Sequence, residues 1–217
     1  HNELFSTVMR GVSGRQNMAA IQRRLRESPP THIAGRAVTS FQDRQDTEGV
    51  FSAILSETDR SSRDVLVFEL GDDAKVVLRP SGTEPKNKVY VEIRGKPTPN
   101  LDAEIRRTAD EAHEIGEAFV MQMLDLVGIE LPMWCLGISS LVSIEHREHF
   151  ATTVMPELLR RLEDAADHDE QPSVSDWLKS QVGSYGSDPV RLLKPGVHRF
   201  IATEEISSGK KLADLFE

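Results

Sequence analysis

The sequence predicts an α+β domain over residues 1–127, followed by a mostly helical extension over 128–217. Three observations carry this reading. β-rich runs with period-two alternation cluster between residues 65 and 95. One long amphipathic stripe follows at 101–127. Beyond Gly128 the strand patterning fades and helical spacing dominates.

The elements follow in order. Residues 15–27, RQNMAAIQRRLRE, put Met18, Ile21 and Leu25 at helical spacing with a basic outer face. Ser28, Pro29 and Pro30 stop that helix. THIAGRAVTSF, 31–41, reads as a strand and Asp43–Glu48 as a polar connection. Residues 49–57 read as a short helix with Val50, Phe51, Ile54 and Leu55 inward, and 58–64 as a loop. VLVFEL (65–70) and KVVLR (75–79) flank GDDA, so Gly71 and Asp72 turn a hairpin. In KVYVEIRG, 88–95, Val89, Val91 and Ile93 alternate with polar neighbours, as in a half-buried strand ended by Pro97 and Pro99. Over 101–127 Leu101, Ile105, Ala109, Ala112, Ile115, Phe119, Met123 and Val127 keep to one helix face, with Asn100 as N-cap and Gly128 just past the end. The sum is a four-stranded, mainly antiparallel sheet with helices on one face.

In the extension, 138–166 reads as mostly helical with Pro156 kinking or restarting the helix. Asp164–Gln171 is an acidic linker. Residues 173–182 form a short helix capped by Ser173 or Ser175. From Gly183 the pattern is mixed and short-segmented. The opening NELFSTVMRG reads as the interior of a longer protein.

Composition narrows the function. A net charge of −9 argues against a general nucleic-acid binder, which needs a basic face. The longest apolar run, Pro132–Ile144, is too short and too broken by Gly and Ser to span a bilayer. The single cysteine, Cys135, allows no disulfide within the chain, and its apolar context reads as packing.

Against that acidic background, LRPSGTEPKNKVY at 78–90 is unusual. Residues 79–96 hold five basic residues (Arg79, Lys86, Lys88, Arg94, Lys96) and two acidic ones (Glu84, Glu92). A guanidinium at the end of an apolar strand can fork onto two phosphate oxygens. Ser81 and Thr83 supply hydroxyls. Gly82 between them can take φ > 0 and bring backbone N–H groups together as a nest. Pro80 and Pro85 stiffen the ends. Glu84 would repel an anion unless it turns away, for instance to hold a basic side chain. A plain hairpin turn would use the same Pro, Ser and Gly, so spacing alone leaves turn and anion socket both open.

RPSGTEPK (79–86) between apolar strands resembles the phosphate-binding loop of the α-D-phosphohexomutases, the phosphoglucomutase/phosphomannomutase family. VMRGVSGRQNMAAIQRRLRESPPTHIAGRAV (8–38) resembles the entry to the family's C-terminal domain, and DVLVFELGDDAKVVLRPSGTEPKNKVYVEI (64–93) follows it in register. The resemblance covers about residues 4–127. It implies the fourth of four domains around a cleft, with a TATA-box-binding-protein-like fold. It implies that Arg79, Ser81, Gly82 and Thr83 hold the substrate phosphate, with Lys88 as a weaker candidate. It implies reversible transfer between hexose 1-phosphate and hexose 6-phosphate through a hexose 1,6-bisphosphate, with Mg²⁺ and a phosphoserine in the preceding three domains, in a cytoplasmic enzyme. The family's catalytic serine loop, its Asp-Gly-Asp metal loop and its Gly-Glu-x-Ser sugar loop do not occur in this sequence; GEAF at 116–119 falls inside a helix. The chain is therefore expected to be inactive alone. A phosphosugar-binding or interaction module without catalysis is the competing reading.

Other features have two readings each. His146 and His149 in EHREH sit at i and i+3, suited either to a shared metal or to a charged helix face. Trp134, Trp177 and Tyr185 read as core or interface anchors. Arg23, Arg24 and Arg26 form a basic helix face, solvated or meeting a partner. Residues beyond 128 could wrap the first domain, form a helical appendage or mediate oligomerisation.

Overall fold

The computed structural model describes residues 1–50, 53–164 and 171–217, which gather into two units, His1–Gly128 and Ile129–Glu217. In the first unit the order is β1 (Asn2–Val8), α1 (Gly11–Glu27), β2 (His32–Ile33), β3 (Arg36–Ala37), β4 (Ser40–Asp43), α2 (Glu57–Ser62), β5 (Leu66–Glu69), β6 (Ala74–Pro80), β7 (Lys86–Ile93) and α3 (Leu101–Asp125). The main sheet runs β1-β7-β6-β5-β4, every pair antiparallel.

Period-two alternation sorts the side chains. Phe41, Phe68, Val76 and Val91 stand opposite one another across four strands. They form an apolar row, and Phe119 of α3 packs its ring 5.2 Å from Phe68. Gln42, Val67, Val77, Tyr90 and Leu4 form a row on the other face. The two faces differ because α3 lies along β7 and β1 on the first.

The sheet has five strands rather than the expected four. β1 joins β7 by its edge, and its alternation is muted: Leu4 points outward and is 51% exposed, while Phe5 turns inward. Phe5 lies over Gly116 of α3, where any Cβ would overlap its ring. Glycine in a helix interior costs about 1 kcal/mol relative to Ala, so this Gly is explained by the ring above it.

The strand read at 31–41 is two pieces. Ala34 (φ 50°) and Gly35 (φ 73°) turn the β2–β3 hairpin, and the chain then enters β4. Among the described residues of the helix expected at 49–57, only Glu57 is helical. Val50 and Leu55 are each 85% exposed, and Phe51 lies outside the described residues. A helix instead occupies 57–62, almost wholly in the stretch read as a loop. The Ser56 hydroxyl accepts from the Asp59 N–H (3.1 Å) and the Asp59 carboxylate accepts from the Leu55 N–H (3.0 Å), so reciprocal capping outweighs the weak apolar pattern.

α3 keeps its expected start: the Asn100 side chain accepts from the Ala103 N–H at 3.1 Å. Gly128 has φ 73°, as expected for a glycine just past a helix. Leu101 and Ile105, placed on the apolar stripe, are 65% and 52% exposed, because the first turns of α3 extend beyond the sheet core.

The second unit comprises a 3₁₀ turn (Met133–Gly137), α4 (Ile144–His149), a π-helical stretch (Phe150–Val154), α5 (Met155–Asp164), α6 (Gln171–Val182), α7 (Pro189–Thr203) and α8 (Gly209–Asp214). The π turn ends two residues before Pro156, whose missing N–H and bulky ring disturb the preceding turn. α6 begins at Gln171, so Ser173 and Ser175 lie within it rather than capping it. The acidic linker read at 164–171 falls largely outside the described residues. α7 replaces the short segments expected after Gly183. Asp188 caps it, Pro189 stands at its first position, and Pro195 and Gly196 lie inside it. Pro195-Gly196 looks like a breaker, but a Cβ on Gly196 would overlap Ile138, so the glycine admits close packing against the 3₁₀ segment.

Trp134, Phe150, Tyr185 and Phe216 build the second core, with Trp134 also 5.2 Å from Phe200. Arg147 is 3% exposed and donates to the carbonyls of Val142 (3.1 Å), Cys135 (3.3 Å) and Ser139 (3.0 Å). Burial pulls its pKa down to about 10.

Candidate functional site

The RPSGTEPK loop is the tip of the β6–β7 hairpin. Pro80 pairs with Asn87 at its base, and the Ser81 N–H donates to the Lys86 carbonyl at 2.9 Å. The Met9 N–H donates to the Pro85 carbonyl at 2.8 Å, which ties the tip to the segment between β1 and α1.

The tip divides the sequence-picked residues between two faces. Arg79 and Lys88 stand directly opposite each other in the β6–β7 register, on the outer sheet face. Neither forms an ion pair among the described residues. Directly opposed like charges in a sheet are unfavourable. Arg79 shares a shallow depression with Lys75, Val77, Tyr90 and Glu92, where Lys75 is already held by Glu92 at 2.7 Å. Ser81, Gly82 and Thr83 instead line a cavity of about 410 Å³ with Arg15 and Met18 of α1.

Gly82 does not take the positive φ expected of a nest: among the described residues those with positive φ are Gly11, Ala34, Gly35, Gly71, Gly128 and Gly186. The hairpin bonds close the loop without a left-handed residue. A Cβ on Gly82 would meet nothing within 4 Å, so the backbone there is open to close approach.

Glu84 turns to Lys86, Oε2 to Nζ 2.6 Å. That hydrogen bond and charge, with Lys88 nearby, hold the Glu84 carboxyl below its usual range. The pair cancels one cation against the one acid of the loop. At the base, Thr7 and Asn87 face each other across β1–β7, both buried, with side-chain polar atoms unpaired among the described residues.

Spacing could not place Arg15 beside the loop, because the contact depends on how α1 crosses the hairpin tip. Of the basic face read on that helix, Arg26 is committed to structure: its guanidinium bonds Asp43 (2.9 Å) and Asp64.

The other candidates resolve into packing. His146 stacks on Tyr185 (centroids 4.5 Å, 15° between planes), and His149 Nδ1 is 2.5 Å from the Tyr185 hydroxyl. Among the described residues no group of three or more His, Cys, Asp or Glu stands together as a metal site. Cys135 is buried and its thiol is pushed up to about 12, away from thiolate chemistry. The Arg161 guanidinium sits 4.5 Å over the Trp177 ring. No helix among the described residues is long and apolar enough to cross a membrane.

Residues 31–115 match the family model described as "Phosphoglucomutase/phosphomannomutase, C-terminal domain", so this segment is similar to that domain. The relatives agree. A "Probable phosphomannomutase" of Haemophilus influenzae is 38% identical over 91 residues, 42% of this chain and 16% of that protein. A "Phosphoglucomutase" of a bovine Staphylococcus aureus strain is 35% identical over 101 residues, 46% of this chain and 18% of that protein. The chain thus matches less than a fifth of the length of these two relatives.

Proposed function

We propose that this chain carries the substrate-phosphate grip of a phosphohexomutase that interconverts hexose 1-phosphate and hexose 6-phosphate. The observation that carries the reading is the unpaired Arg79–Lys88 couple, one register step from a hydroxyl-bearing, sterically open loop. Two opposed cations repel each other until an anion lies near them. Arg79 can offer its fork to phosphate oxygens, with Lys88 as a point charge and Ser81 and Thr83 as hydroxyl donors. The open backbone at Gly82 lets the phosphate come close. A grip on phosphate that ignores the sugar suits a reaction whose bisphosphate intermediate must be held by either end.

The described residues do not fit a Mg²⁺ site, and no step through a metal is assigned to them. The catalytic serine and the metal and sugar loops of such an enzyme would be supplied by the preceding three domains. This chain alone would then bind phosphosugar without turning it over.

The test is an NMR titration of the chain with glucose 6-phosphate at low salt. Saturable shifts at Gly82 and Thr83 are expected, with an affinity on the order of millimolar. Arg79→Ala should weaken it about tenfold or more. Gly82→Ala should weaken it while leaving the melting temperature unchanged. A folded chain whose loop signals do not respond would overturn the reading. So would glucose 6-phosphate formed from glucose 1-phosphate by this chain alone, as regards inactivity.

A further inference from the structure

We infer that Arg15, on α1 and outside the residues matched to the family model, is a phosphate-contacting residue of the same site. The inference rests on the reading that the 81–83 loop binds a phosphate. Three observations converge on it.

Arg15 and Met18 form the α1 wall of the cavity whose other wall is Ser81, Gly82 and Thr83. The loop's hydroxyl residues and open backbone therefore border this helix, while Arg79 and Lys88 stand on the sheet face at the base of the same tip.

The second observation is charge. Within that cavity Glu84 is neutralised by Lys86 at 2.6 Å. Arg15 forms no ion pair or hydrogen bond among the described residues, and no acidic residue stands three or four positions away along α1. An exposed guanidinium without a counter-ion, beside a cluster of hydroxyls, lacks the one thing an anion would bring.

The third is rigidity. Gly14, one residue before Arg15, is buried, and a Cβ there would overlap the Met9 backbone carbonyl. Gly11, at φ 74°, makes the turn that lets α1 fold back onto Met9. Met9 in turn donates to the Pro85 carbonyl at 2.8 Å. The first turns of α1 are thus clamped to the loop through a buried backbone contact and a hydrogen bond. Arg15 reaches the loop from a fixed base, so little ordering entropy opposes its contact with a ligand. Gripped from α1 as well as from β6 and β7, one phosphate would be held from both faces of the hairpin tip.

The test uses this chain with inorganic phosphate and with glucose 6-phosphate, followed by the amide signals of Gly82 and Thr83. The variants are Arg15→Ala, Arg15→Lys and, as a control for long-range charge, Arg23→Ala from an exposed position on the same helix. Arg15→Ala should weaken both ligands about 10- to 100-fold. Arg15→Lys should recover part of the loss, and Arg23→Ala should bind like the parent. Unchanged binding in Arg15→Ala, with Arg79→Ala or Ser81→Ala still impaired, overturns the inference and leaves the loop reading standing. Equal losses in Arg15→Ala and Arg23→Ala also overturn it, since the effect would then be bulk charge. Absence of binding by the parent chain removes the loop reading and this inference together. Circular dichroism on each variant checks folding; Arg15 is exposed, so native spectra are expected.

Discussion

The two units use arginine in opposite ways. In the first, Arg26 and Arg36 sit at the margins of the core and tie separate elements together through carboxylates. Arg36 alone reaches Asp73, Glu111 (2.6 Å) and the Leu70 carbonyl (2.9 Å), joining β3, the β5–β6 turn and α3. In the second, Arg147 lies inside and spends its donors on three backbone carbonyls. A marginal arginine in a carboxylate network can lose a partner and be rescued by water. A buried one that satisfies irregular backbone cannot be removed without stranding those carbonyls. The comparison teaches where each unit is brittle: the second at one side chain, the first at its close-packed contacts.

The sharpest way to break the comparison is Arg147→Met, which keeps the volume and removes the donors. It should destabilise the second unit by about 3 kcal/mol. Both tryptophans, Trp134 and Trp177, belong to that unit, so the fluorescence midpoint in urea reports it directly. A midpoint equal to the parent's would mean that water replaces the guanidinium and the contrast is false.

In the first unit the largest effect should come from Gly116→Ala. The new methyl must displace the Phe5 ring, at a cost of about 2 kcal/mol after the better helix propensity of Ala is counted. Amide exchange in β1 and mid-α3 should accelerate. If β1 amides stay protected, Phe5 has room to move and the strand is held by its ladder alone.

A smaller effect separates the units by pH. The Arg107 side chain, then the Lys96 N–H at 2.7 Å, hold the Glu104 carboxyl down to about 2. Arg36 likewise lowers Asp73. A carboxylate depressed in the fold stabilises it above the unfolded value, 4.5 for Glu104, and loses that contribution as pH falls toward 2. Glu157 is also held down to about 2, first by Arg160, with all its partners inside α5, whereas Glu104 adds the Lys96 N–H outside its helix to the Arg107 pair within it. Acidification from pH 5 to 2 should therefore loosen the start of α3 more than α5, because only Glu104 also releases a tie outside its helix, with Glu104→Gln mimicking the change at pH 7. Equal loss in both helices would show that cross-element ties add nothing over helical ones.

Much of the first unit was legible because alternation leaves a strong mark: the β5–β6 hairpin, β7 and α3 follow directly from it. β1 was not. Its outward Leu4 and inward Glu3 and Thr7 blur the period, and only the partner strand assigns its register. α2 was hidden because its signal is a cap rather than a stripe. α7 was hidden because Pro195 and Gly196 are local breakers that tertiary packing overrides.

The same division holds for the site. The sequence by itself determined which residues can bind an anion, because guanidinium, hydroxyl and glycine carry their chemistry wherever they fall. It also determined that Arg79 and Lys88 flank the loop on strands. Which of them face one another, and which cavity the hydroxyls open into, only the tertiary structure decided. A hairpin tip has two faces, and the choice between them depends on ladder parity and on a helix that arrives from more than sixty residues earlier. Gly82 and Arg15 show both limits. A positive φ expected from residue type did not form because hairpin hydrogen bonds set the backbone. A cation with no local signature reached the loop because Gly14 let its helix pack against Met9.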